Sequence, residues 1–156
     1  MNPVPLFLII VTLPLLLGGC GEKVVNNDEI EYREGVAYLK GSENPYTGKA
    51  IALWENGQKR NGGIYKDGKM DGLWMGWYEN GQKKSEINFK DGKMDGLGGT
   101  WHENGQKRAE ANYKDGKKDG LATFWHENGQ KKEEANYKDG KEDGLATFWH
   151  ENGQKK

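Results

Sequence analysis

The sequence predicts an all-β protein, an elongated antiparallel meander built from 24-residue repeats of two strands each. Three observations carry that prediction. The string ENGQK begins at Glu55, Glu79, Glu103, Glu127 and Glu151, a spacing of 24 without slippage, and a fixed period in this range marks a repeat architecture. Asn-Gly and Asp-Gly dipeptides, the strongest short hairpin signals, alternate along the same stretch, from Asn56 and Gly57 through Asp67 and Gly68 to Asn152 and Gly153. No proline follows Pro45, so nothing interrupts strand pairing, while glycines in every turn region disfavour helix.

Strands of roughly six to nine residues fit between these turns. A two-residue loop at Asn128 and Gly129 would place Glu127 opposite Gln130, Phe124 opposite Glu133 and Ala122 opposite Ala135. Strand alternation then separates two faces. One carries Ala122, Phe124, His126, Ala135 and Tyr137; the other carries Leu121, Thr123, Trp125, Lys132 and Glu134. Stacking of repeats lines up Trp77, Trp101, Trp125 and Trp149 in one file and Leu73, Leu97, Leu121 and Leu145 in another, and these files are the expected core. Blocks 103–126 and 127–150 differ only at 108/132, 109/133 and 118/142, the mark of a recent duplication.

Composition narrows the function classes. Only 34% of the 156 residues are apolar and 30% are charged. Trp, Tyr and Phe supply much of the apolar set beyond the N-terminus, which speaks against a conventional packed-core enzyme. The 23 basic and 24 acidic residues leave a formal net charge of -1, so the basic surplus that drives nucleic-acid binding is absent. The same balance argues against a disordered chain, which would carry a large net charge.

The N-terminus reads as an export segment. Residues 2–19 are uncharged and Val4 to Leu17 is apolar, too short for the roughly 20 residues that span a bilayer but right for a signal peptide. Leu17, Gly18, Gly19 and Cys20 resemble the lipobox of bacterial lipoproteins, which implies cleavage before Cys20 and acylation of its thiol and amine. Cys20 is the single cysteine, so no intrachain disulfide can form, and lipidation accounts for it. Several acyl chains on one residue would anchor the protein stably. By that resemblance Gly21 favours the outer over the inner membrane. The expected organisation is a signal peptide over 1–19, a tether and N-terminal cap over 20–45, and the repeat domain over 46–156.

The repeat itself is recognisable. Tyr78 to Lys83 continuing through Phe89 to Leu97 resembles the MORN repeat in its bacterial variant form. The run Gly35 to Lys40 followed by Pro45, Tyr46, Thr47, Gly48 and Lys49 is similar to the opening of exported proteins grouped under the YwqK-like antitoxin label. The resemblance implies an elongated antiparallel sheet acting as a protein-protein or membrane-associated scaffold, with no catalytic residue to carry over.

Candidate chemistry is sparse. His102, His126 and His150 recur two strands apart, nearly 10 Å at about 4.8 Å per strand, too far to share one ion. The pairs Asp67 and Asp71, Asp91 and Asp95, Asp115 and Asp119, and Asp139 and Asp143 lack the alternating acids and closing Glu of a calcium loop and read as turn formers. No nucleophile-base arrangement or phosphate loop is present, so the expectation is a non-enzymatic protein without cofactor or metal. Its partner would be another protein or an envelope component. The expected interaction surfaces are the Asn-Gly turn edge (Glu103, Asn104, Gln106 and equivalents) and the exposed sheet face. Trp74 and Trp77 are alternative candidates for stacking on sugars.

Overall fold

The computed structural model describes residues 24–156; the signal segment and the Leu17, Gly18, Gly19 and Cys20 motif lie outside the described residues. The chain forms strands β1 (Val24–Asn26), β2 (Ile30–Arg33), β3 (Val36–Leu39), β4 (Gly48–Leu53), β5 (Lys59–Lys66), β6 (Lys69–Met70), β7 (Gly72–Trp77), β8 (Lys83–Lys90), β9 (Lys93–Trp101), β10 (Lys107–Lys114), β11 (Lys117–Trp125), β12 (Lys131–Lys138), β13 (Lys141–Glu142) and β14 (Thr147–Phe148). A single 3-10 turn (Asn27–Glu29) links β1 to β2. From β4 onward the sheet is an antiparallel meander in sequence order, and β1 closes its first edge by pairing parallel to β4. The parallel strand is not part of the expected meander. Hairpin β2–β3 forms a separate two-stranded sheet.

The two kinds of turn are built differently. At the Asp-Gly turns Lys114 pairs with Lys117, and both Asp115 (φ 50) and Gly116 (φ 84) are left-handed, the two-residue type I′ loop that the dipeptide predicts. The Asn-Gly turns depart from that expectation. There Gly129 donates its N–H to the His126 carbonyl, and His126 donates to the Gln130 carbonyl. Only Gly129 (φ 81) is left-handed, so the loop has three residues, Glu127 to Gly129, in the turn-plus-bulge geometry. Glu127 therefore does not face Gln130. Trp125 pairs with Lys131 and the register shifts before Phe124, which pairs with Glu133 as Ala122 pairs with Ala135. A bulge at Lys132 thus restores the register that a two-residue loop would have set. A second bulge follows each Asp-Gly turn: between Tyr113↔Lys118 and Ala111↔Ala122, β11 advances farther than β10.

Alternation separates the faces as expected, but the buried one is not the Trp and Leu face. A row of small residues crosses the sheet through paired positions: Gly98 with Ala111, Ala111 with Ala122, Ala122 with Ala135. Ala111, Ala122 and Ala135 are buried, beside the larger Tyr113, Phe124 and Tyr137. On the opposite face Leu73, Leu97, Leu121 and Leu145 are exposed. The reason is spacing: equivalent residues sit two strands apart, and a strand carrying Asn intervenes, with Leu97 paired to Asn112 and Leu121 to Asn136. No second layer covers that face among the described residues. The tryptophans of the same face are half-buried; Trp101 lies over Gly99, where a Cβ would come within 2.9 Å of its ring.

Among the described residues a two-layer core exists only under the cap. Val25, Ile30, Ala37, Tyr46, Ala50 and Tyr65 form one buried cluster, with Leu39, Met70 and Trp74 packed against it. Tyr65 is 1% exposed, and its ring meets Tyr46 and Trp74 edge-on at centroid distances of 5.9 and 5.1 Å. Its hydroxyl is hydrogen-bonded to that of Tyr32. Burial, reinforced by that bond, pushes the Tyr65 phenol well above its ordinary range. The first Asp-Gly turn docks on the cap: Ala37 donates to the Gly68 carbonyl and Gly68 to the Tyr46 carbonyl, each at 2.8 Å.

Candidate functional site

Both long edges of the sheet carry hydrogen-bond ladders that repeat with the sequence. On the Asn-Gly edge Asn56, Asn80, Asn104 and Asn128 each serve two turns. Asn104 Oδ1 accepts the Gln106 N–H at 3.0 Å, closing its own loop, while Asn104 Nδ2 donates to the Glu127 carbonyl of the next loop at 2.8 Å. Asn56, Asn80 and Asn128 do the same with Glu79, Glu103 and Glu151. Gln106 points its amide oxygen at Gly129 of the next turn, where a side chain would collide. Of the residues expected to form an interaction surface here, Asn104 and Gln106 are thus engaged within the array, and the Glu103 side chain remains exposed.

A second ladder lies just inside the first. Trp54 Nε1 donates to the Trp77 carbonyl, Tyr78 hydroxyl to Trp101, and His102 and His126 Nε2 to Trp125 and Trp149. A carbonyl only accepts, so each of these imidazoles presents an N–H at Nε2. Trp, Tyr and His can each take this position because each offers a flat ring with a polar donor at its tip. Trp54, Tyr78, His102 and His126 stand at steps of 24 in the sequence. His102 Nδ1 lies 4.0 Å from Glu127 and His126 Nδ1 3.9 Å from Glu151. Replacing Asn104 with alanine removes one bond inside its loop and one between loops. The expected cost is about 1–2 kcal/mol, read as a lower urea midpoint at unchanged slope.

The Asp-Gly edge explains the paired aspartates. The first Asp of each pair occupies the left-handed turn position. In the first pair the second Asp serves the following turn: Asp71 Oδ2 accepts the Asp91 N–H at 3.3 Å, as Thr47 accepts that of Asp67. Gly92, Gly116 and Gly140 donate their N–H groups to the carbonyls of Met70, Met94 and Lys118 one repeat back. Lys138 donates to Asp119 at 2.8 Å, which holds that carboxylate below its usual range and raises Lys138 in turn. A depressed carboxylate supports the fold above its unfolded value and loses that support as pH falls through its folded value; exposure keeps the effect small. An NMR titration is expected to place Asp119 lower in the wild type than in Lys138→Met.

The exposed sheet face presents three parallel rows. Leucines alternate with asparagines near the Asp-Gly edge. Along the middle run Glu86, Glu110 and Glu134, each bonded to the lysine three residues before it. Toward the Asn-Gly edge Lys83, Lys107 and Lys131 stand 4.5, 5.5 and 5.5 Å from the ring centroids of Trp101, Trp125 and Trp149, within cation–π range. Trp77 belongs to this face, near Leu73 and Met75. Trp74 points to the other side, where it packs on Tyr65 and donates Nε1 to the Ile64 carbonyl at 3.1 Å. The two tryptophans therefore do not share a surface.

Among the described residues no group of three or more His, Cys, Asp or Glu side chains is placed to hold a metal ion, and no helix is long and apolar enough to cross a membrane. Cys20 lies outside the described residues. No curated protein sequence matches the chain. The repeat does match a family description, and the matched segments coincide with structural units. Each begins just after one Asp-Gly turn, passes through an Asn-Gly hairpin and ends at the left-handed Asp of the next. Residues 70–91, 94–115 and 118–139 are three consecutive matches to the MORN repeat variant.

Proposed function

We propose that the protein is a non-enzymatic, lipid-anchored scaffold that binds a protein or envelope partner through its exposed leucine face. MORN repeats generally serve protein or membrane interaction. The observation that carries the reading is the file of Leu73, Leu97 and Leu121, each 40% or more exposed, beside tryptophans flanked by lysines. Large exposed apolar side chains repeated along one face and rimmed by charge form the kind of patch through which proteins interact. Anchoring rests on the resemblance of Leu17 to Cys20 to a lipobox. The test joins both parts. Acyl labelling with membrane fractionation is expected to mark the wild type and not Cys20→Ala. Photo-crosslinking in cells from a probe at Leu97 is expected to yield one discrete adduct that disappears in Leu73→Ser/Leu121→Ser. Exposed sites like these change stability by little, so an unchanged melting curve with an unchanged adduct would reject this face.

A second reading follows from the resemblance of Gly35 to Lys40 and Pro45 to Lys49 to the YwqK-like group: neutralisation of a toxin. Address discriminates the two. An unlabelled, cytoplasmic, full-length chain would favour the antitoxin reading, and a labelled envelope protein confines it to a toxin that acts there.

A further inference from the structure

Much of the repeat is constant, so the positions that change from copy to copy are informative. In steps of 24, Asn61 becomes Ser85, Ala109 and Glu133; Trp74 becomes Gly98, Ala122 and Ala146; Gly76 becomes Thr100, Phe124 and Phe148. The fold brings the departing residues together. Asn61 pairs with Gly76, Gly76 with Ser85, and Trp74 with Ile87. With the cap beside them, Asn61, Trp74 and Ser85 line an open cavity of about 340 Å³ that also takes in Asn27, Tyr32 and Phe89.

The cavity has one consistent chemistry. Its walls are aromatic: Trp74 and Phe89 from the sheet, and Tyr32 from the cap, 61% exposed. Its polar groups are neutral. Asn61 and Ser85 flank Gly76, which has no side chain to fill the space between them, and Asn27 approaches from the cap with Nδ2 3.4 Å from Asn61 Oδ1. Asn27 Oδ1 is buried without a hydrogen-bond partner, so this amide pair has unused bonding capacity. Of the described residues lining the cavity none is charged. One repeat on, the space where Phe124 faces Ala109 has shrunk to about 40 Å³.

We propose that this pocket between cap and first repeat binds one ring of a neutral saccharide. The apolar C–H face of a pyranose would pack on Trp74 and Tyr32, and its hydroxyls would bond to Asn27, Asn61 and Ser85. Aromatic walls with a few placed polar groups are what such a ligand requires. A charged ligand would find no counter-charge there and would lose its hydration. The volume is at the lower end of the range for small-ligand sites, which suits a terminal ring better than a long polymer segment. The pocket lies on the face opposite the leucines, so it is separate from the scaffold surface.

The test titrates the full chain with cellotriose and with tri-N-acetylchitotriose, following tryptophan fluorescence and the side-chain amide signals of Asn27 and Asn61. A parallel arm measures retention on purified peptidoglycan. The decisive variant is Gly76→Phe/Ser85→Ala, which places in the cavity the ring that Phe124 carries at the equivalent position two repeats on and relieves the 2.5 Å approach of a Gly76 Cβ to Ser85 Oγ. Saturable binding in the millimolar range is expected, lost in that variant and weakened about three- to tenfold in Asn61→Ala. A response to soluble trisaccharide identifies a free sugar as the source; retention on peptidoglycan alone, lost in the same variant, identifies the wall polymer. No response in either arm, or a response that survives both variants, overturns the proposal. The leucine-face variants are expected to leave sugar binding unchanged, so the two readings fail separately.

Discussion

Replacing Tyr65 with alanine is expected to destabilise the capped end of the array by about 3–5 kcal/mol, the usual cost of emptying a buried aromatic site. Tyr65 is 1% exposed, makes edge-on contacts with three rings and holds the Tyr32 hydroxyl. Among the described residues it is the largest fully buried side chain. The same change at Tyr137, the equivalent position three repeats on and only half-buried, is expected to cost about 1 kcal/mol. Urea denaturation of the two variants measures the difference. Equal losses would show that the cap contributes nothing beyond an ordinary repeat.

Gly68→Val is the second large effect, at about 2–4 kcal/mol from two sources. Gly68 has φ +75, and a Cβ there would come within 2.2 Å of Val36 Cγ1 and 2.9 Å of the Ala37 carbonyl oxygen. The turn cannot retreat without breaking its hydrogen bonds to Ala37 and Tyr46. Hydrogen exchange should show the amides of Ala37 and Gly68 losing protection first, while those of β10 and β11 keep theirs. Gly116→Val, with only the Lys93 side chain near its Cβ position, carries the backbone strain alone and is expected to cost about half as much.

These effects mark where the sequence was legible and where it was not. Period, strand number per repeat and central register were all readable, because turn dipeptides at fixed spacing leave a meander little freedom. The Asp-Gly loop followed its dipeptide. The Asn-Gly loop did not, because the Asn side chain satisfies Gln106 N–H and its equivalents from a conformation with negative φ. Two glycine-bearing turns thus look alike in sequence and differ by one residue in structure. The buried face was misread for a related reason. Trp and Leu are the most apolar residues of the repeat, yet a single sheet has nothing to lay over them, and alanines beneath neighbouring rings are covered instead. Strand β1 was invisible, since three residues, Val24–Asn26, carry no periodicity. The pocket residues Asn61, Gly76 and Ser85 were written in the sequence as exceptions to the repeat, a signal that becomes readable only when the register makes them neighbours.

The central claim is that this is a modular array, held by ladders between adjacent repeats and closed at one end by a cap. Deleting residues 103–126 joins His102 to Glu127 and leaves every turn with the neighbour it needs, since residues 103–107 and 127–131 are identical. Nearest-neighbour coupling predicts a folded, shorter chain. Its urea slope should fall by about a sixth, and the NMR signals of Ala37, Tyr46 and Tyr65 should stay in place. A chain that unfolds outright, or that loses the Tyr65 environment four strands away, would contradict the account.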